Sequence, residues 1–325
     1  MIRQLALVLL IINCSAILVK SQPATLYSLN PGQDGNRNYW NFTQYSLTSQ
    51  SVINETRLNF TTLSLIGIVD YNPSTNSLLV MLLNDKNINN VLAWLNVQTY
   101  QLTKVSACEL EDNSLILTQP LGFDDNTQKL YTVVSNLQNN SLVLMEWDFS
   151  SVVGQQNAYT FEYEYANGTY PNGCYNEKIA YYYIHYIDAE TQSHNIFTFD
   201  VEFKNYSSTP LSLDNDDITN SVYLVHTGSY FNGRLYAISQ SGDQLVLYSI
   251  EVFSGITKPV LSLDNQYQVN GIPYSTDHTQ NYVTLFTSSV QGQTTYTVVN
   301  LITLSYKSFT QQTNDILTSW WLITN

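Results

Sequence analysis

One short pattern of apolar and polar positions returns six times along the chain: an apolar residue, then Asn, Asp or Glu, then another apolar residue. The copies are Trp40-Asn41-Phe42, Leu95-Asn96-Val97, Trp147-Asp148-Phe149, Phe199-Asp200-Val201, Ile250-Glu251-Val252 and Val299-Asn300-Leu301. Their polar residues are 55, 52, 52, 51 and 49 positions apart. The triplet alone describes any half-buried strand, but its flanks repeat too. Leu142-Val143-Leu144 before Asp148 matches Leu245-Val246-Leu247 before Glu251, and LSLDN stands at both 211–215 and 261–265. Asn41 is followed by Tyr45 and Leu47 as Asn96 is followed by Tyr100 and Leu102. Gly67, Gly122, Gly173, Gly228 and Gly271 keep a similar beat. A period of about 50 residues with strand-like content predicts a repeat fold.

The fifth unit shows the pattern most cleanly. Residues 221–231, 234–241, 244–252 and 256–263 read as four strands separated by turn residues. Asn232-Gly233 is a type I′ turn signal, because both central residues need positive φ. Pro259 suits an outer edge strand, where a missing N–H costs no ladder bond. Units of the same kind span 61–108, 115–161, 169–213 and 268–311. The remainder predicts a sixth: 24–30, 39–45 and 52–58 read as strands two to four, and 316–324 as the missing first strand. No long stretch has helical apolar spacing with a cap.

This pattern resembles a six-bladed β-propeller and covers the mature chain. The likeness is to an architecture, since the WD40, YWTD and kelch signatures are absent. It implies an all-β ring of four-stranded antiparallel blades, closed by the C-terminal strand joining the N-terminal blade. Closure removes edges that would otherwise invite aggregation. Ligand sites near a channel mouth are a further implication.

Composition narrows the setting. Only 12% of the 325 residues are charged, and 26 acids against 12 bases give a net charge of −14. That argues against nucleic acid or an anionic membrane as partner, since both need Lys and Arg against phosphate. Arg3 followed by an apolar run over 5–19 reads as a secretory signal, with Val19 and Ser21 fit for cleavage. The expected organisation is a signal peptide over 1–21 and one propeller domain over 22–325, secreted and without a membrane span.

Candidate chemistry is sparse. Asn-x-Ser/Thr sequons at Asn54, Asn59, Asn139, Asn167 and Asn205 are glycan acceptors in a secreted chain, though a composition this rich in Asn, Ser and Thr makes such triplets common. A sixth, at Asn41, lies within the repeated strand. Cys108 and Cys174 suggest a disulfide in an oxidising compartment; against it, they fall on an outer and an inner strand. Asp214, Asp216 and Asp217 suggest a calcium loop, but Ile218 and Thr219 replace the oxygen ligand and glycine of an EF-hand. A solvated connection between blades is the competing reading. His226 falls on a channel-lining strand; His185, His194 and His278 show no ligand spacing. Tyr181, Tyr182, Tyr183 and Tyr186 offer faces for sugar rings or for packing between blades.

No GxSxG, GxGxxG or phosphate-loop motif occurs. The expectation is a non-enzymatic extracellular binding or recognition protein whose partner is a protein or glycan. A secreted hydrolase of carbohydrate or ester substrates is the alternative, and a matrix or coat component the third reading.

Overall fold

The computed structural model describes residues 25–34, 37–59, 63–84, 89–108, 115–117, 122–136, 138–150, 155–169, 171–213, 222–227, 233–241, 244–264, 274–276, 279, 281–288, 293–312 and 320–323. Among them there are strands and no helix. The first sheet contains β1 (Thr25–Asp34), β2 (Arg37–Ser46) and β3 (Ser51–Leu58). The second runs through β4 (Leu63–Asn72), β5 (Ser77–Asn84), β6 (Asn89–Asn96) and β7 (Leu102–Cys108). In the third, β8 (Leu115–Leu117) and β9 (Gly122–Asp124) both pair with β10 (Lys129–Asn136), followed by β11 (Ser141–Asp148) and β12 (Gln155–Glu164).

The fourth is β13 (Asn172–Asn176), β14 (Tyr181–Ile187), β15 (His194–Asp200) and β16 (Tyr206–Pro210). The fifth is β17 (Val222–His226), β18 (Leu235–Ser241), β19 (Gln244–Glu251) and β20 (Ile256–Asp264). The sixth is β21 (Tyr274–Thr276), β22 (Tyr282–Ser288), β23 (Gln293–Asn300) and β24 (Ser305–Gln312). The last strand, β25 (Trp320–Ile323), pairs antiparallel with β1, Thr25 opposite Ile323. The first sheet therefore has the order β25-β1-β2-β3. The six antiparallel sheets stand in a ring, a six-bladed β-propeller.

The core is divided among the spaces between blades. Trp40 and Phe42 of blade one pack with Leu78, Val80 and Leu82 of blade two. On the other face of β5, Leu79 and Met81 pack with Val143 and Met145 of blade three. Period-two alternation normally separates a wet face from a dry one. Here both faces of the middle strands are dry, which explains the unbroken apolar runs at 78–83 and 142–145. Further clusters join blades three and four, four and five, and five and six. Leu26, Tyr45 and Leu47 of blade one pack with Tyr282, Tyr296 and Phe309 of blade six, so buried apolar surface also links the first blade to the last.

The repeated polar residue is a turn cap. The Asn96 side-chain oxygen accepts the amides of Gln98 and Thr99 at 3.0 and 2.8 Å. The Tyr100 amide then reaches the Asn96 carbonyl, and Tyr100 takes φ 58°. Asp200 and Asn300 repeat this geometry, with Lys204 and Leu304 left-handed. Short polar side chains favour such turns because they satisfy amides that the tightly bent chain leaves unpaired.

The first copy departs from this geometry. Asn41 lies within β2, opposite Asn30, and caps nothing. Ser46 does the capping, accepting the Ser49 amide at 3.1 Å ahead of left-handed Gln50. The structural copy is Tyr45-Ser46-Leu47, which stands 50 residues before Asn96 instead of 55. The glycine beat has a steric reason at Gly122, where a Cβ would lie 2.2 Å from that of Tyr175 on the next blade. Gly228 and Gly271 lie outside the described residues.

Candidate functional site

The regular first hairpin is tight. Four residues separate Asn72 from Ser77, Asp124 from Lys129, and Asn176 from Tyr181 in blades two to four. Blade five departs from this. Eight residues, 227–234, separate His226 from Leu235. The base of this longer loop is pinned by the Thr227 amide on the Arg234 carbonyl (3.0 Å) and the Arg234 amide on Thr227 Oγ1 (2.9 Å). Residues 228–232, including Asn232 of the expected type I′ turn, lie outside the described residues.

Beside this loop, between blades four and five, lies a cavity of about 480 Å³. Its blade-four wall is Tyr181 and Tyr183 of β14 with Ile179 of the preceding turn. Its blade-five wall carries Arg234, Glu251 and Phe253. Buried Asn176 and His226 also line it. The Tyr181 and Tyr183 rings meet edge to face, 6.3 Å apart. Phe253, in the turn after β19, is 89% exposed. Glu251 is exposed and pairs loosely with Lys258 at 3.7 Å, while Arg234 has no ion pair among the described residues. Arg234, Glu251 and three aromatic residues, Tyr181, Tyr183 and Phe253, thus line one concave, largely apolar space.

Alternation along β14 divides the tyrosine stripe between the two readings. Tyr182 and Tyr186 face blade three and are fully packed, with the Val133 amide donating to the Tyr182 hydroxyl at 3.2 Å. Tyr181 and Tyr183 face the cavity. Burial, then the Asp200 carboxylate, raises the Tyr181 hydroxyl pKa. His226 meets the Tyr175 carbonyl through Nε2 and the Thr227 carbonyl through Nδ1. Burial lowers its pKa, and these two contacts oppose the shift. His226 therefore anchors the inner strands of blades four and five together.

Nearer the ring axis, burial pushes Asp70 up to about 8. The Tyr71 amide opposes that shift, and Glu177 and Asp125 reinforce it. Among the described residues no group of three His, Cys, Asp or Glu side chains is arranged to hold a metal. Asp214, Asp216 and Asp217 lie outside the described residues. Cys174 is a free, buried thiol on inner β13. Cys108 ends outer β7 of another blade, and its side chain lies outside the described residues. Of the sequon residues, Asn54, Asn59, Asn139, Asn167 and Asn205 are all exposed. The Asn54 amide donates to the Tyr100 hydroxyl at 2.7 Å, and Asn139 accepts from the Ser141 hydroxyl at 2.8 Å.

His185 and His194 were unpaired by sequence spacing. They meet across the β14–β15 hairpin, Nε2 to Nδ1 at 2.9 Å, both buried. Arg234 and Phe253 also escaped notice, although the Arg234 loop could have been found as the first hairpin that runs long.

No protein-family model and no curated protein matches the chain. Solved structures do. AofleA from Arthrobotrys oligospora is 12% identical with a TM-score of 0.53, covering 79% of this chain and 73% of its own. The SapL1 lectin in complex with α-methyl fucoside is 8% identical with a TM-score of 0.50, covering 78% and 82%. An oligogalacturonate lyase in complex with manganese is 10% identical with a TM-score of 0.51, covering 88% and 85%. At these identities the likeness establishes the propeller fold alone. No helix among the described residues is long and apolar enough to cross a membrane.

Proposed function

We propose that the protein is a secreted, carbohydrate-binding propeller whose site is the cavity between blades four and five. The observation that carries this reading is the pairing of Arg234 and Glu251 with the rings of Tyr181, Tyr183 and Phe253 around one concavity. A pyranose has hydroxyls that accept from a guanidinium and donate to a carboxylate, and a C–H face that packs on aromatic rings. Pockets that hold small ligands combine an apolar lining with few, convergent polar groups. The site also stands where the repeat is broken. Breaks in local regularity mark function more often than stability. The lectin among the structural neighbours, solved with a fucoside, fits the same reading.

The test is a glycan array followed by calorimetry with the best monosaccharide. Arg234→Ala and Phe253→Ala should each weaken binding at least about tenfold. Both residues are exposed, so neither change should shift the unfolding midpoint. Gln192→Ala, in the β14–β15 turn at the other end of blade four, serves as the control. Undiminished binding by both site variants would place the ligand elsewhere.

A further inference from the structure

Phe203 is 70% exposed in the β15–β16 turn, two residues before the sequon Asn205-Tyr206-Ser207. The turn is firmly built. Asp200 accepts the amides of Glu202 and Phe203 at 3.0 and 2.9 Å, and its own amide donates to the Asn205 carbonyl at 2.8 Å. Lys204, left-handed at φ 57°, reaches back to Glu146 of blade three at 3.2 Å and lies over the Tyr159 ring. The side chain between Phe203 and Asn205 is thus tied inward while both of its neighbours are exposed. Asn205 makes no side-chain hydrogen bond among the described residues, in contrast to Asn54, Asn139 and Asn167.

We propose that Asn205 carries an N-linked glycan whose first N-acetylhexosamine lies on the Phe203 ring. Two residues span at most about 7 Å, within reach of a pyranose attached to Asn205. The sugar's C–H face would cover the apolar ring that the chain itself leaves bare. Phe253, the exposed phenylalanine in the matching turn of blade five, has no sequon beside it and lines the cavity instead. In the attachment step, Asn205 Nδ2 bonds to C1 of the sugar and gives up a proton. The C1–O bond to a lipid-pyrophosphate oligosaccharide donor breaks, and the pyrophosphate leaves with the electron pair. The proposal rests on the secretory reading of residues 1–21.

The test is expression of the full chain in a eukaryotic secretory host, with glycopeptide mass spectrometry and thermal unfolding before and after enzymatic deglycosylation. Asn205 should be occupied. Deglycosylation of an Asn41→Gln/Asn54→Gln/Asn59→Gln/Asn139→Gln/Asn167→Gln background should lower the midpoint by about 1–3 °C, and by less when Phe203→Ser is added. A cleaved chain glycosylated at other sequons but bare at Asn205 overturns this proposal alone. So does an occupied site whose deglycosylation shift is the same with and without Phe203. A chain that keeps its leader and carries no glycan overturns the secretory reading and this proposal together.

Discussion

Replacing His185 with Gln should flatten the acid limb of the protein's stability profile. His185 is 3% exposed and shares a 2.9 Å hydrogen bond with His194. Burial, and secondarily the neighbouring His194, push its pKa from 6.5 down to about 3. A histidine depressed in the folded state favours the neutral form there. Its contribution is present above about pH 6.5 and is lost as the unfolded chain takes up the proton first. Between pH 7.5 and 5.0 this linkage amounts to about 2 kcal/mol, and it hardly changes if the folded value is a unit higher.

Burial lowers His194 too, so it acts in the same direction. Asp70 acts in the opposite direction, because a carboxyl raised to about 8 gains stability as pH falls toward 3.8. The absolute pH profile is therefore a sum of opposing effects, and only the difference between wild type and variant isolates His185. The assay is guanidinium unfolding at pH 7.5 and 5.0 for wild type and His185→Gln, where Gln keeps an amide able to reach His194. Wild type should lose about 2 kcal/mol more than the variant over this range. Parallel profiles would refute the reasoning, since they would mean that His185 is charged, or solvated, in the folded ring.

Asn300→Ala removes the acceptor of the Ile302 and Thr303 amides and should cost about 1 kcal/mol in chemical unfolding, whereas Asn41→Ala, which uncaps no turn, should cost clearly less. Gly255→Ala places a Cβ 1.8 Å from the Pro210 carbonyl oxygen at φ +69° and should destabilise by about 1–3 kcal/mol, read as a lower unfolding midpoint. Asp70→Asn should raise the midpoint at pH 9, where the wild-type carboxylate is forced to ionise inside the fold, and change it little at pH 4.

The fold was legible because the physical demands on it recur. Each blade needs the same apolar alternation and carries a polar residue where its third hairpin begins, so a beat of about 50 residues survives even where identities drift. The beat slipped in blade one because Ser can do the capping of Asn. Once Ser46 had replaced the expected residue, the triplet at Asn41 looked like the missing copy. Its spacing of 55, against 49 to 52 elsewhere, was the signal that the frame was off. The histidine pair was hidden for a related reason. Contact between residues nine apart depends on hairpin register, and here Asp188 sets it by capping the turn so that Ile187 faces His194 and His185 faces Ile196. That makes the two histidines diagonal neighbours on one face. A turn read as a cap, and not merely as a gap, would have brought them together.

The site asks for the opposite kind of reading. A repeat places equivalent residues in equivalent environments, so what it conserves by regularity is packing and turn closure. Ligand chemistry can only enter where one unit is released from that duty. Blade five is released twice on the same face. Its first hairpin runs eight residues instead of four and carries Arg234, and its third hairpin fills with Gly255 the left-handed position that Tyr100, Lys204 and Leu304 hold in other blades. Gly255 packs directly on Pro210 of blade four, which draws the third hairpin and its Phe253 toward the neighbouring blade. Glu251 occupies the position where Asn96, Asp200 and Asn300 cap, but its longer side chain meets the Ser254 hydroxyl instead of the two turn amides, and the residue lines the cavity. The same departure that weakens a turn would therefore supply the acceptor of the proposed site. If that trade is the origin of the site, Glu251→Asp should regain the cap and raise the unfolding midpoint while lowering carbohydrate affinity. Stability and binding moving in the same direction would break the argument.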